Sequence, residues 1–356
     1  MRPRVELRTR IRLFSRILAI AVLAAGLEAV VLPAAPSSQD KSQQVERKKP
    51  VKPELESGSP QDTREHQKDY TIGVNVDLVV VHTTVQDKSG HFVSGLKKED
   101  FRIYEDGVEQ TISLFSQEDV PVTLGIVIDT SGSMRNKIEN VNRAALAFIR
   151  ASNPQDEVFL IGFNDQVELL EDYTSDIEAI TDSLDNIIVA GGTALYDAIH
   201  LAVEKAHKGI KPKKAIIVIT DGEDRDSYYK LEEMTAKVQE SDVQIYSVGF
   251  LNAVPEKGLF GRWSKSVPER AHDALQLISE DTGAKAYFPQ KVSDINQIVS
   301  EVAYELRNQY SIGYVSSNTA RDGTYRRVKV AIDPAKAAGN HVRYRRGYTA
   351  PKVDTN

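Results

Sequence analysis

Between about residues 120 and 306, short apolar runs alternate with segments whose apolar positions recur every three or four residues. The runs are Leu124 to Ile128, Val158 to Phe163, Ala215 to Ile219 and Gln244 to Val248. They are too short for helices and lack strict polar alternation, as strands buried on both faces require. Between them, Ile138, Val141, Ala145, Phe148 and Ile149 share one helical face, and Leu195, Ile199, Ala202 and Val203 another. Further helices are predicted over Ser175 to Ile187, near Tyr229 to Ser241, over His272 to Thr282 and over Ser293 to Arg307, with a short strand at Lys285 to Phe288. Val167 to Tyr173 follows the second strand closely enough to be its hairpin partner at a sheet edge. Strands alternating with helices imply an α/β fold with a doubly wound, mostly parallel sheet.

On either side the pattern turns to β-like runs. Val76 to Val85, Phe101 to Tyr104 and Gln110 to Phe115 come first, separated by turn signals at Asp87 to Gly90 and Glu105 to Gly107. Tyr310 to Val315, Tyr325 to Ile332 and Val342 to Tyr348 follow, broken by Asp322, Gly323 and Gly339. Each set alone would be a marginal sheet without a partner face. The expectation is one small β-sandwich built from residues 70–118 and 308–350, with an α/β domain at 119–307 inserted and a tail at 351–356. Arg326, Arg327, Arg343, Arg345 and Arg346 read as the outward face of the later strands. Asp77, His82 and Asp87 read as a solvated strand face rather than a metal triad.

The amino terminus has another character. Arg2, Arg4, Arg8, Arg10, Arg12 and Arg16 precede an apolar run from Ile17 to Leu27, and small residues follow at Ala34 and Ala35. A basic region, an apolar stretch and a small-residue exit describe an export signal over 1–35, cleaved or retained as an anchor. Residues 36–69, rich in Ser, Gln, Lys, Glu and Pro, bury too little surface to offset ordering entropy and read as a disordered linker. The chain of 356 residues has a net charge of -6 with both signs interspersed, which leaves no nucleic-acid footprint. It has no cysteine, which excludes disulfides and thiolate metal sites, and its seven histidines show no zinc spacing.

The candidate chemistry begins where the first buried run stops, in LGIVIDTSGS, Leu124 to Ser133. The run delivers Asp129, Ser131 and Ser133 to a strand-to-helix turn, at the sheet end where ligands gather in such folds. Their alternation lets three hard oxygen donors face one point, suiting Mg2+, Mn2+ or Ca2+. Asp129 or Ser131 as a plain helix N-cap fits the same turn. Two other stretches bear on the choice: AGGTALYDA, residues 190–198, puts Thr193 after paired glycines at a helix start, and AIIVITDG, residues 215–222, ends a strand at Asp221.

Together these stretches resemble the metal-ion-dependent adhesion site of von Willebrand factor A domains. The resemblance implies that Ser131 and Ser133 coordinate directly, Thr193 directly or through water, and Asp129 and Asp221 mostly through water. Two carboxylates then balance a divalent ion while three neutral hydroxyls leave it electrophilic, with a place for a partner's Asp or Glu. The phrases LKKEDFRIYEDG, YSIGY and RRGY look like an exported, acidobacterial-type group of such proteins. The resemblance further implies that movement of the Ser293 to Arg307 helix couples site geometry to affinity. The function expected is a non-catalytic, cation-dependent protein-binding module outside the cytoplasm. A magnesium-dependent phosphohydrolase with Asp129 as nucleophile is the alternative; against it, Ser131 stands where that haloacid-dehalogenase pattern wants an acid, and no strand-end lysine is evident. A scaffold with an idle site is a third reading. Glu223, Asp224 and Asp226, beside Asp221, read as a solvated loop, with adjusting the ion's field or capping the next helix as the alternative role for one of them. The loop from Leu251 to Pro268, with Phe260 and Trp263, is either a partner-binding feature or a lid.

Overall fold

A computed structural model describes residues 77–251, 266–333, 336 and 339–352. The segments expected to be an export signal and a linker, and the stretch carrying Phe260 and Trp263, lie outside the described residues. The first flank contributes β1 (Leu78–Gln86), β2 (Phe101–Glu105), β3 (Val108–Gln110) and β4 (Ile112–Ser116). The inserted region opens with β5 (Val122–Asp129), α1 (Ile138–Ala151), β6 (Glu157–Phe163), β7 (Val167–Thr174), α2 (Ile177–Asp185) and α3 (Leu195–Lys208). It continues through β8 (Lys213–Thr220), α4 (Leu231–Glu240), β9 (Gln244–Gly249), α5 (Val267–Asp281), β10 (Ala286–Tyr287) and α6 (Ile295–Asn308). The second flank adds β11 (Tyr310–Val315), β12 (Tyr325–Ile332), β13 (His341–Arg343) and β14 (Gly347–Thr349).

The inserted strands form one sheet in the order β10-β9-β8-β5-β6-β7. Every neighbouring pair is parallel except the β6-β7 hairpin. Ile126, Ile128, Leu160 and Ile217 pack with α1, α2 and α6 on one face, while Val127, Ile161, Ile216 and Val218 pack with α3, α4 and α5 on the other. Both faces are buried, which explains why these strands read as continuous apolar runs. The chain leaves β5 toward β6 and later returns to its other side as β8, so the topological switch point lies between the ends of β5 and β8.

The flanking strands form two antiparallel sheets, β13-β1-β11-β4 and β14-β12-β2-β3. Each draws strands from both flanks: β1 pairs with β11 and β2 with β12. Val81, Phe101, Ile103, Tyr310, Ile312, Tyr314 and Val330 fill the space between them. The α/β domain is thus inserted in a sandwich that neither flank completes alone.

Several flank expectations are corrected. The Gln110 to Phe115 run divides between β3 and β4, which lie in different sheets, and the Val342 to Tyr348 run divides between β13 and β14 in the same way. Corners of this kind leave strand periodicity almost unchanged, so the pattern does not reveal them. The arginines do not form an outward face. Arg326 is 3 % exposed and pairs with the buried Glu105, which also accepts bonds from Tyr314 and Tyr348. Arg343 Nη2 donates to Glu305 of α6 at 2.7 Å, and Arg345 Nη2 to Ser241 O at 2.9 Å. Arg327 and Arg346 are exposed, as expected. Nor is the β1 face solvated throughout: Thr84 Oγ1 donates to Glu305 at 2.8 Å, and His82 is half-buried with Nδ1 3.1 Å from Ser311 Oγ of β11. Burial, with Lys213 and Arg345 nearby, pushes its imidazole down to about 3.

Candidate functional site

Apolar β5 ends in the fully buried Asp129, whose Oδ1 accepts the Ser131 amide at 2.8 Å and whose Oδ2 accepts Thr220 Oγ1 at 2.6 Å. Desolvation pushes its carboxyl above the usual carboxylate range, and Asp221 adds to that rise. The chain then turns through a short 3-10 segment, Gly132–Asn136, into α1. Ser131 occupies the N-cap position of this segment without a side-chain cap bond, and Lys137 that of α1, so neither Asp129 nor Ser131 caps α1. The Ser131 and Ser133 hydroxyl oxygens lie 3.1 Å apart, and Ser133 Oγ donates to Asp221 Oδ1 at 2.7 Å.

Thr193 arrives on the loop before α3. Ala190 N donates to Thr130 O at 3.0 Å and Gly132 N to Gly191 O at 3.3 Å, stitching that loop to the serine turn. The Thr193 hydroxyl lies against Gly222, next to Asp221; a methyl group on Gly222 would sit 3.4 Å from it. The structure therefore joins Ser131, Ser133 and Asp221 by direct hydrogen bonds. Asp129 is linked to them through the Ser131 amide and Thr220, and Thr193 is placed on the adjoining loop.

The acidic residues after Asp221 are partly exposed, and two of their carboxylates accept amides at the start of α3. Asp226 Oδ2 accepts the Thr193 amide at 2.7 Å, Asp224 Oδ1 accepts the Tyr196 amide at 3.1 Å, and Asp197 accepts the Tyr228 and Tyr229 amides. Helix starts carry unpaired N–H groups that attract carboxylates. Here the attraction locks the Asp221 loop to the Thr193 loop. Gly192 is required for it, since a Cβ there would stand 2.0 Å from Asp226 Oδ2. Glu223 pairs with Arg270 of α5.

Two residues were not anticipated. Thr220 holds Asp129, and its place at the end of a buried strand is the signal that marks it. Lys137 puts Nζ 2.5 Å from Asp221 Oδ2 and 3.3 Å from Ser133 O; its signal is a position one helical turn after Ser133.

Neighbouring oxygens around a six-coordinate magnesium, at about 2.1 Å from the ion, stand about 3 Å apart. The 3.1 Å and 2.7 Å separations around Ser133 match that edge length, and every donor is a hard oxygen. The residues present therefore fit a small divalent cation. Among the described residues no group of three or more His, Cys, Asp or Glu converges as a metal site; this donor set relies on hydroxyls instead.

A strand-end aspartate, a serine turn and a second strand-end aspartate thus meet at the switch point of the α/β sheet. Residues 124–223 match the family model described as von Willebrand factor type A domain. Over those residues the inserted domain is similar to von Willebrand factor type A domains. An uncharacterized protein of Synechocystis sp. is 27 % identical over 211 residues, which is 55 % of this chain and 47 % of that protein. An uncharacterized protein of Borreliella burgdorferi is 22 % identical over 219 residues, 58 % of this chain and 61 % of that one. The chain thus spans about half to three fifths of these relatives. Among solved structures, the vWF domain of the type V pili tip protein Mfa5 from Porphyromonas gingivalis aligns with 13 % identity and a TM-score of 0.42. That alignment covers 52 % of this chain and 95 % of that one.

Proposed function

We propose that this protein is an exported, divalent-cation-dependent protein-binding module and not an enzyme. Ser131, Ser133, Thr193, Asp129 and Asp221 would hold Mg2+, or Mn2+ or Ca2+, and a partner's Asp or Glu would complete the coordination. The observation that carries the reading is the set of hard oxygens gathered from β5 and β8 at coordination-edge distances. The bound ion would supply an electrophilic docking point; this chain's part is to hold the donors rigid. The Asp224 and Asp226 bonds to α3 serve that end. Tyr228, 85 % exposed, and Ile188, 80 % exposed, stand on the loops that carry Asp221 and Thr193, and give a partner apolar contact. Export rests on the Arg2 to Leu27 pattern.

The phosphohydrolase reading is weakened by Asp129 itself. Its carboxylate is fully buried and anchored by the Ser131 amide and Thr220 Oγ1, a setting that suits orienting an ion's donors rather than a nucleophile free to attack a phosphoryl group. The test is Mn2+ titration by isothermal calorimetry and electron paramagnetic resonance, with wild type and Asp129→Asn. Wild type is expected to bind one ion and the variant none, and capture of acidic peptides should require the ion and vanish with EDTA. Cation-independent capture, or phosphatase activity lost in Asp129→Asn, would end the proposal.

A further inference from the structure

Lys137 is the one feature of the site that a set of neutral and anionic donors does not explain. It ends the 3-10 segment and begins α1, a position where its stem could extend into solvent. Instead it folds back over one turn, with Nζ 2.5 Å from Asp221 Oδ2 and 3.3 Å from Ser133 O. The Asp221 side chain is 4 % exposed and that of Lys137 26 %. Asp221 has both oxygens engaged, one by Ser133 and one by this ammonium. Asp129 and Asp221 bring two negative charges, and Lys137 neutralises one of them.

From this the geometry points to Lys137 as a tethered competitor: its ammonium occupies the Asp221 side of the site, and a divalent ion must displace it to bind. The inference rests on the cation-site reading above. An ammonium is a compact point charge on a flexible four-carbon stem, so it can leave Asp221 without disturbing α1. A divalent ion outbids it because it carries twice the charge and draws on the serine hydroxyls as well, whereas the ammonium is a donor that reaches Asp221 and one carbonyl. Once displaced, the ammonium stays tethered beside the ion. Two carboxylates, a divalent ion and Lys137 then sum to one positive charge on the face offered to a partner's carboxylate. The chain thereby sets a threshold cation concentration and, above it, a docking face of reversed sign.

The ion must replace a charge-assisted hydrogen bond, so removal of that bond should tighten ion binding about ten- to a hundredfold. The experiment uses the full chain, with Mn2+ as probe, in wild type, Lys137→Met and Lys137→Gln, each checked by thermal melting in EDTA. Both variants should bind Mn2+ about ten- to a hundredfold more tightly than wild type. In wild type, acetylation of the Lys137 amine, read by mass spectrometry, should accelerate as Mn2+ saturates; in Asp129→Asn it should not respond. Binding in the variants equal to or weaker than wild type, or an amine whose reactivity ignores bound Mn2+, overturns the competitor role while leaving the cation site standing. Failure of wild type and both lysine variants to bind Mn2+ overturns both readings, whereas binding by the lysine variants alone supports the competitor.

Discussion

Glu305 allows a quantitative test of how the sandwich holds the inserted domain. Its side chain is 0 % exposed, with Oε1 accepting Thr84 Oγ1 at 2.8 Å and Oε2 accepting Arg343 Nη2 at 2.7 Å. Thr84 lies on β1 and Arg343 on β13, while Glu305 lies on α6, so one carboxylate ties both flanks to the insert. In Arg343→Met the stem keeps its packing but the carboxylate stays buried with only neutral donors. Breaking a buried pair in this way costs about 3 to 5 kcal/mol. Removing both charges in Arg343→Met/Glu305→Leu eliminates the unpaired ion, and stability should return to within about 1 to 2 kcal/mol of wild type, the remainder reflecting the Thr84 hydroxyl, which loses its acceptor and keeps only the bond from Gln309 Nε2. Urea melts followed by circular dichroism give both values, provided the slope with denaturant is unchanged. A loss below about 1 kcal/mol in the single variant would refute the reasoning, as would a double variant no more stable than the single one.

Two further outcomes follow from burial and backbone geometry. The His82 imidazole is pushed down to about 3 from an ordinary value of 6.5, mainly by burial, so between those limits the unfolded chain binds a proton that the folded chain does not. Stability from this group is therefore complete above about pH 6.5 and falls as pH drops toward 3, by about 1.4 kcal/mol per unit; His82→Gln should flatten urea midpoints between pH 7 and 5 relative to wild type, and equal slopes would dismiss the effect. Gly283 closes α5 with φ +78° and passes so near the Tyr344–Arg345 backbone that a Cβ would lie 2.4 Å from Tyr344 C. Gly283→Ala should cost about 2 kcal/mol or more in the same melts through positive φ and steric overlap, and a neutral result would mean the β13–β14 crossing yields easily.

The candidate site was legible in part because its clues are local. An apolar strand that stops at Asp129 and restarts as a helix after Ser133 shows its turn in ten residues, and Asp221 repeats the strand-end pattern. Lys137 and the capping aspartates were not legible, since their partners lie 84 positions away for Lys137–Asp221 and 33 for Asp226–Thr193. A charge in sequence carries no mark of whether it meets solvent or a helix end. Arg326 and Arg343 illustrate the same limit: alternation placed them on one side of a strand but not what that side would face.

What the sequence determined by itself is the alternation of buried strands and amphipathic helices, the doubly wound class of the insert, and the oxygen-bearing turn. These follow from hydrophobic period and chain stiffness over a few residues, which act before any distant contact forms. Tertiary structure alone decided which flank strands pair, where Gln110 to Phe115 and Val342 to Tyr348 cross between sheets, and which charges are enclosed. Those outcomes depend on segments hundreds of residues apart sharing one core, where burial makes each unpaired charge costly and so selects its partner.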